Sequence, residues 1–210
     1  ETHNLSNLRM PREKSFSGLQ EVIEKFGALV PINVSLSTCF GCPMEGDVAQ
    51  AEVLRWSQRF ADLGVRGLTI CDTTGMAQPS QVADMCEVLQ KQFPSLQLTL
   101  HFHNTRGMGL ANVLASVQTG IERFDGSLGG LGGCPYAPGA SGNICSEDAI
   151  HMLEAMGYDT GIDLKRLLQS ARHLPEIVGH NVPGQVAKSG LITDLHPAPA
   201  YVHELQKEFS

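Results

Sequence analysis

Four short apolar runs recur along this chain, and a helical pattern fills each gap between them. The runs are PINVSLST (31–38), VRGLTICD (65–72), LQLTLHFH (96–103) and IERFDGSL (121–128). In the first, Ile32, Val34 and Leu36 alternate with Asn33, Ser35 and Ser37, the period of a strand with one buried face. Leu19, Val22, Ile23 and Phe26 recur at helical spacing ahead of it, and Val53, Trp56 and Phe60 do so behind it, ending near Gly64. Pro79 stands where a first-turn proline belongs, before Val82, Met85, Cys86, Leu89 and Phe93. Leu110, Val113, Leu114 and Val117 make the next helix, closed by Gly120. Two more helices are expected over 146–156 and 164–178, the second capped by Asp163.

Strand–helix–strand units of about 25 to 33 residues build a parallel sheet, because parallel neighbours need a crossover and a helix supplies it. A doubly wound sheet and a (β/α)8 barrel both satisfy this α/β pattern. Four strands in 210 residues fall short of a barrel, which takes eight strands and about 250 residues. Read as a barrel, the chain supplies the second half. Residues 1–179 would form that portion. Residues 180–210, where HNVPGQVAKSGLITDLHPAPAYVHELQ loses any regular period, would form an extension packed on the barrel or on a partner subunit.

Composition removes several function classes. A net charge of −7 without a basic run argues against nucleic acid as a partner. No apolar stretch approaches the ~18 residues of a membrane span. The six cysteines are scattered, as reduced thiols are in a reducing compartment. Cys39 and Cys42 form a CxxC, but no second pair completes a tetrahedral zinc site.

The third run carries the most chemistry. Leu96, Leu98, Leu100 and Phe102 share one face, and Gln97, Thr99, His101 and His103 share the other. Two imidazoles therefore project side by side at a strand end, either as ligands of one divalent metal or as a hydrogen-bonded pair. Asp72 ends the second run in CDTTG, and Asn143 follows GGLGGCPYAPGASG. All lie beyond strand ends, on the rim where barrel active sites are built. The segment 129–143 sets six glycines around one thiol, Cys134. That much backbone freedom suits a floppy connector, or a loop that carries a thiol over a site. Tyr136 and Pro138 would restrain it.

HFHNTRGMGLANVLASVQTGI and FDGSLGGLGGCPYAPGASGNICSEDAIHMLEAMGYDTGIDL closely resemble the 3-hydroxy-3-methylglutaryl-CoA lyase family, as do FGCPMEGDV and ICDTTGMAQP upstream. The resemblance implies a (β/α)8 TIM barrel of the metal-dependent lyase and aldolase group, with this chain carrying strands five to eight and the C-terminal helices. It implies Mg²⁺ or Mn²⁺ held by His101, His103 and Asn143, with Glu147 and Asn104 near the metal. It implies Asp72 as an active-site acid and Cys134 as the cysteine of a loop that closes over the site. The implied partner is an acyl-CoA thioester, cleaved to acetyl-CoA and acetoacetate. A homo-oligomer (dimer or tetramer) is expected, in a bacterial cytoplasm or a mitochondrial matrix.

Two departures stand out. The family has HxHDT where this chain has HFHNT, so Asn104 replaces an acid. The family's first strand carries Arg-Asp-Gly-Leu-Gln, whose Asp is a metal ligand and whose Arg stabilises the enolate; here SGLQ (17–20) sits on a helical pattern and lacks both charges. The sequence therefore reads as beginning near the end of strand four.

Retro-Claisen cleavage needs a tertiary hydroxyl deprotonated, an enolate stabilised, and that enolate protonated. Nitrogen and oxygen donors without thiolate suit Mg²⁺ or Mn²⁺. Asp72 is a general base or a positioning group. Cys134 is a proton donor or a water-excluding gate. Thr73 and Arg106 are candidate substrate contacts. Three other readings stay open: a lyase for a related thioester such as citramalyl-CoA, a Claisen synthase or aldolase of the same superfamily, and an inactive barrel half.

Overall fold

The computed structural model describes residues 1–137 and 139–209. Two helices come first, α1 (Thr2–Leu8) and α2 (Arg12–Phe26), followed by β1 (Asn33–Leu36) and α3 (Gln50–Asp62). Then come β2 (Gly67–Asp72), α4 (Pro79–Gln92), β3 (Gln97–Phe102), α5 (Gly109–Gln118) and β4 (Phe124–Asp125). A 3₁₀ turn, Leu128–Gly130, opens the glycine-rich segment. The chain ends in α6 (Ser146–Ala155), α7 (Leu164–Val178), α8 (Val186–Ser189) and α9 (Ala200–Glu208).

The strands form one parallel sheet in the order β1-β2-β3-β4. Because parallel crossovers are right-handed, an order that never reverses puts every crossover helix on the same face. That is the winding of a barrel wall, and it sets aside the doubly wound alternative. The outward residues are apolar and buried: Val34, Leu68, Ile70, Leu98, Leu100 and Phe102 meet Val53, Phe60, Val82, Leu89 and Val113 from the helices. Burying each such side chain contributes about 1.5–3 kcal/mol. The inward face is polar. Asn33 there donates to the Thr69 hydroxyl at 2.7 Å across β1 and β2.

The helix stops behave as their chemistry dictates. Asp163 accepts the Arg166 N–H and caps α7, and Pro79 opens α4. The apolar stripe expected on α2 is only partly used. Phe16 and Ile23 enter the core, while Leu19, Val22 and Phe26 remain 42%, 47% and 41% exposed. Leu19 lines a cleft of ≈ 470 Å³ that also meets Ser35 and Leu36 of β1, an edge strand of the sheet. The helical period marks which face of α2 is apolar, but not whether a neighbour covers it.

Beyond residue 179 the first part of the tail is tied down. Asp148 accepts the Gln185 and Val186 N–H groups at 2.8–3.0 Å, and α8 joins Leu164, Leu168 and Ala171 of α7 in a second small core. By contrast, α9 has no buried residue. Among the described residues no helix is long and apolar enough to cross a membrane.

Candidate active site

The alternation of β3 sets the site. His101 and His103 lie on its inward side at the C-terminal end, with ring centroids 5.2 Å apart. The chain leaving the glycine-rich segment returns antiparallel to this end. Asn104 N–H donates to Gly142 O and Ile144 N–H to Phe102 O, both at 3.0 Å, so that Asn143 becomes the bridge partner of His103. Gly142 makes the return possible. Its φ is +101°, and a Cβ there would stand 2.1 Å from Gly130 O, which only glycine avoids. The Asn143 amide donates to Leu131 O at 2.8 Å and to Ser127 Oγ at 3.3 Å, and this fixes where its oxygen lies.

One polar atom on each of these bridge partners is then left without a partner. His103 Nδ1 and Asn143 Oδ1 are both buried and make no hydrogen bond. An unsatisfied buried polar atom costs about 1–3 kcal/mol, so two on bridge partners mark a place built for a ligand. Burial, and the positive charge His101 can carry, lower the His103 pKa to about 4. At neutral pH it is an uncharged imidazole, the form that binds metals. Nδ1 of His101 is held by the Asp125 carboxylate at the end of β4, which leaves Nε2 free. Among the described residues no three His, Cys, Asp or Glu side chains gather as a metal-holding group. Two imidazoles and one amide oxygen could together hold a hard-to-borderline divalent cation that takes its remaining ligands elsewhere.

The other expected residues fall around this centre in different ways. Asp72 is 1% exposed and is in register with Phe102, so it shares the outward face and not that of the histidines. Its Oδ1 accepts the Met76 and Ala77 N–H groups at 2.7 and 3.1 Å, and its Oδ2 is buried without a partner. Burial raises its pKa; those two N–H groups and the charges of Arg106 and His101 oppose the rise without cancelling it. Glu147 is fully buried and accepts the Gly129 N–H, at 2.9 Å to Oε2. It pins the base of the glycine-rich segment, and burial raises its pKa as well. Asn104 accepts the Gly109 N–H at 3.0 Å and so caps the first turn of α5. The Thr73 hydroxyl accepts the Thr38 N–H. Arg106 donates to Thr74 O and Gly75 O. These last three tie rim loops to one another.

Cys134 is the half-buried thiol; the other five cysteines are buried. Burial pushes Cys39 and Cys145 up to about 12 and Cys86 to about 11, and raises Cys71 as well. Such thiols stay protonated and inert. Cys134 Sγ lies 3.8 Å from Nε2 of His3 in α1. Pro138, expected to restrain the loop, lies outside the described residues.

Asp125 is the site residue that sequence reasoning missed. Its position at the C-terminal end of the fourth strand run, on the rim that holds the histidines, was the available signal.

Comparison with known proteins shows the family. A family model described as HMGL-like matches residues 1–174. The chain is 44% identical over 193 residues to the hydroxymethylglutaryl-CoA lyase YngG of Bacillus subtilis, covering 90% of this chain and 64% of the relative. It is 43% identical over 157 residues to the (R)-citramalyl-CoA lyase of Chloroflexus aurantiacus, covering 75% of this chain and 50% of that one. The solved structure of an HMG-CoA lyase from Acinetobacter baumannii, in complex with coenzyme A and 3-methylmalate, superposes with a TM-score of 0.90 at 49% identity, over 94% of this chain and 65% of the other. The chain thus spans under two thirds of the length of these relatives. With the family model covering most of its residues and its sheet wound as a barrel wall, the chain belongs to the HMGL-like family.

Proposed function

We propose that the protein containing this chain is a divalent-metal-dependent acyl-CoA lyase that cleaves 3-hydroxy-3-methylglutaryl-CoA to acetyl-CoA and acetoacetate. The observation that carries the reading is the pairing of His103 with Asn143, two bridge partners each holding a buried polar atom without a partner. We further propose that this chain is the C-terminal half of a (β/α)8 barrel. The free edge of β1 and the open polar face of the sheet support that, since further strands would cover both.

Mg²⁺ or Mn²⁺ held by His101, His103 and Asn143 would polarise the tertiary hydroxyl of the substrate and make its proton easier to remove. The residues of the chain have their own parts. Asp125 keeps His101 in one orientation. Glu147 and Gly142 set the two ends of the glycine-rich segment and so hold Asn143 in place. Asp72 holds the β2–α4 turn through one oxygen and leaves the other buried without a partner. Cys134 gives its proton to the methylene carbon of the acetyl-CoA enolate: the S–H bond breaks, a C–H bond forms, and the sulfur keeps the electron pair.

The experiment uses the full-length protein, stripped with EDTA and reloaded with Mn²⁺, and measures acetoacetate release. Activity that disappears on stripping and returns on reloading supports the reading, and full activity in EDTA overturns it. Similarity to a citramalyl-CoA lyase at 43% identity favours a second substrate, so citramalyl-CoA belongs in the same assay. A higher kcat/KM for citramalyl-CoA, with pyruvate as the second product, would reassign the acyl group and keep the chemistry.

A further inference from the structure

The glycine-rich segment is docked on α1, at the other end of the chain. Tyr136 Oη donates to Ser6 O at 2.7 Å. The Tyr136 ring meets the His3 ring edge-on, with centroids 6.1 Å apart and planes at 80°. Cys134 Sγ approaches His3 Nε2 at 3.8 Å, within reach of a sulfur hydrogen bond. His3 is 6% exposed although it lies in the first turn of a short surface helix. A buried imidazole is costly without a polar partner, and the Cys134 sulfur stands at its Nε2.

A backbone this rich in glycine cannot place a sulfur atom by itself. Gly130, Gly132, Gly139 and Gly142 all have positive φ, and each glycine widens the set of conformations available. Two side-chain anchors narrow it again, Tyr136 on Ser6 and Cys134 on His3. Burial keeps the His3 ring neutral by lowering its pKa. A neutral ring nitrogen is a far better acceptor than a sulfur atom, so the form in which the thiol donates to Nε2 uses the strong acceptor of the pair.

We propose that His3 is the positioning residue of Cys134, accepting its S–H hydrogen and so holding it as a protonated thiol at a fixed place on the rim. The inference rests on the reading of Cys134 as the thiol that protonates the enolate. It gives α1 a part in the chemistry, which no motif in its sequence announces.

The test uses the full-length protein and two kinds of replacement. His3→Phe keeps a ring against Tyr136 and removes both nitrogens; His3→Ala removes the ring as well, and either folded variant decides. His3→Gln restores an acceptor. Cys134 is labelled with iodoacetamide across a pH series and followed by peptide mass spectrometry, the five buried cysteines serving as slow references. Loss of one hydrogen bond of ordinary strength moves the midpoint of the labelling profile down by about 0.7 pH unit, and speeds labelling at pH 7 about fivefold. We expect this in His3→Phe, with kcat lowered at least about fivefold, KM for the thioester within about twofold, and most of both effects reversed in His3→Gln. An unmoved or raised midpoint overturns the proposal. If Cys134→Ala keeps full turnover, the role of the thiol in catalysis fails while the labelling profile still reads the His3 contact. If Cys134→Ala is inactive and the profile is unmoved, the His3 proposal alone fails.

Discussion

Asp125, at the end of β4, accepts a hydrogen bond from Nδ1 of His101, its register partner at the end of β3. The carboxylate is half exposed, and an ion pair of that kind stabilises the fold by about 1 kcal/mol at most. Its effect lies in orientation, because a ring nitrogen committed to a carboxylate leaves the other nitrogen fixed in direction and more basic. Asp125→Asn should weaken Mn²⁺ binding to the full-length protein about 10- to 100-fold, read by titration calorimetry, with little change in melting temperature. An unchanged Kd would make the pair an ordinary surface contact.

Folding shifts Asp72 toward its acid form relative to the unfolded chain. Burial raises its pKa above 3.8, so the native state binds a proton that the unfolded chain has released. Stability from this group is therefore present at low pH and lost as pH rises through the raised value. Asp72→Asn keeps an oxygen for the Met76 and Ala77 N–H groups and carries no charge. It should melt higher than the parent at pH 7, with the advantage gone near pH 4. If the unpartnered Oδ2 takes part in the reaction, the same variant should lose turnover at least about 100-fold. A variant that is both more stable and fully active would leave Asp72 a structural residue.

Much of this arrangement was legible in the residues. The two-residue period of LQLTLHFH separates the His101–His103 face from the Leu100–Phe102 face, and β3 buries the two faces differently. The register of Asp72 was not legible, since a residue at a strand end can turn either way until its loop is built. Asn104, read as a neighbour of the metal, also has its side chain on the Gly109 N–H, a contact that the HFHNT spacing does not reveal. Asp125 escaped because β4 is two residues long and too short to show a period. The docking of Cys134 on His3 joins residues 131 positions apart, and local spacing carries no information about such a contact.

His103 supplies a pH dependence with a definite sign. Its pKa is about 4 in the native state against an ordinary 6.5. Between these values the unfolded chain takes up a proton that the native state refuses, so stability falls as pH drops from about 6.5 toward 4 and then levels off. The loss from this residue is at most about 3 kcal/mol. Urea unfolding of metal-free full-length protein at pH 7, 5.5 and 4 should show it. His103→Asn should flatten that part of the slope. Parallel profiles would mean that His103 is protonated in the native state at ordinary pH.

Two glycines nine residues apart should respond in opposite ways. At Gly142 the backbone has φ +101°, and a Cβ would lie 2.1 Å from Gly130 O and 2.7 Å from Gly132 O. Neither carbonyl is a flexible side-chain end, so the chain must move, and the residue that moves with it is Asn143. Gly142→Ala should cost about 2 kcal/mol or more of stability and weaken Mn²⁺ binding, because the Asn143 oxygen leaves its place beside His103. At Gly133 nothing lies within 4 Å of the added carbon, and its φ is not among the positive ones. Gly133→Ala should therefore leave Mn²⁺ affinity unchanged and raise stability by about 0.4–1 kcal/mol, through lost freedom in the unfolded chain. Paired thermal melts and Mn²⁺ titrations of the two variants decide between a segment whose glycines are interchangeable and one in which Gly142 alone aims the amide.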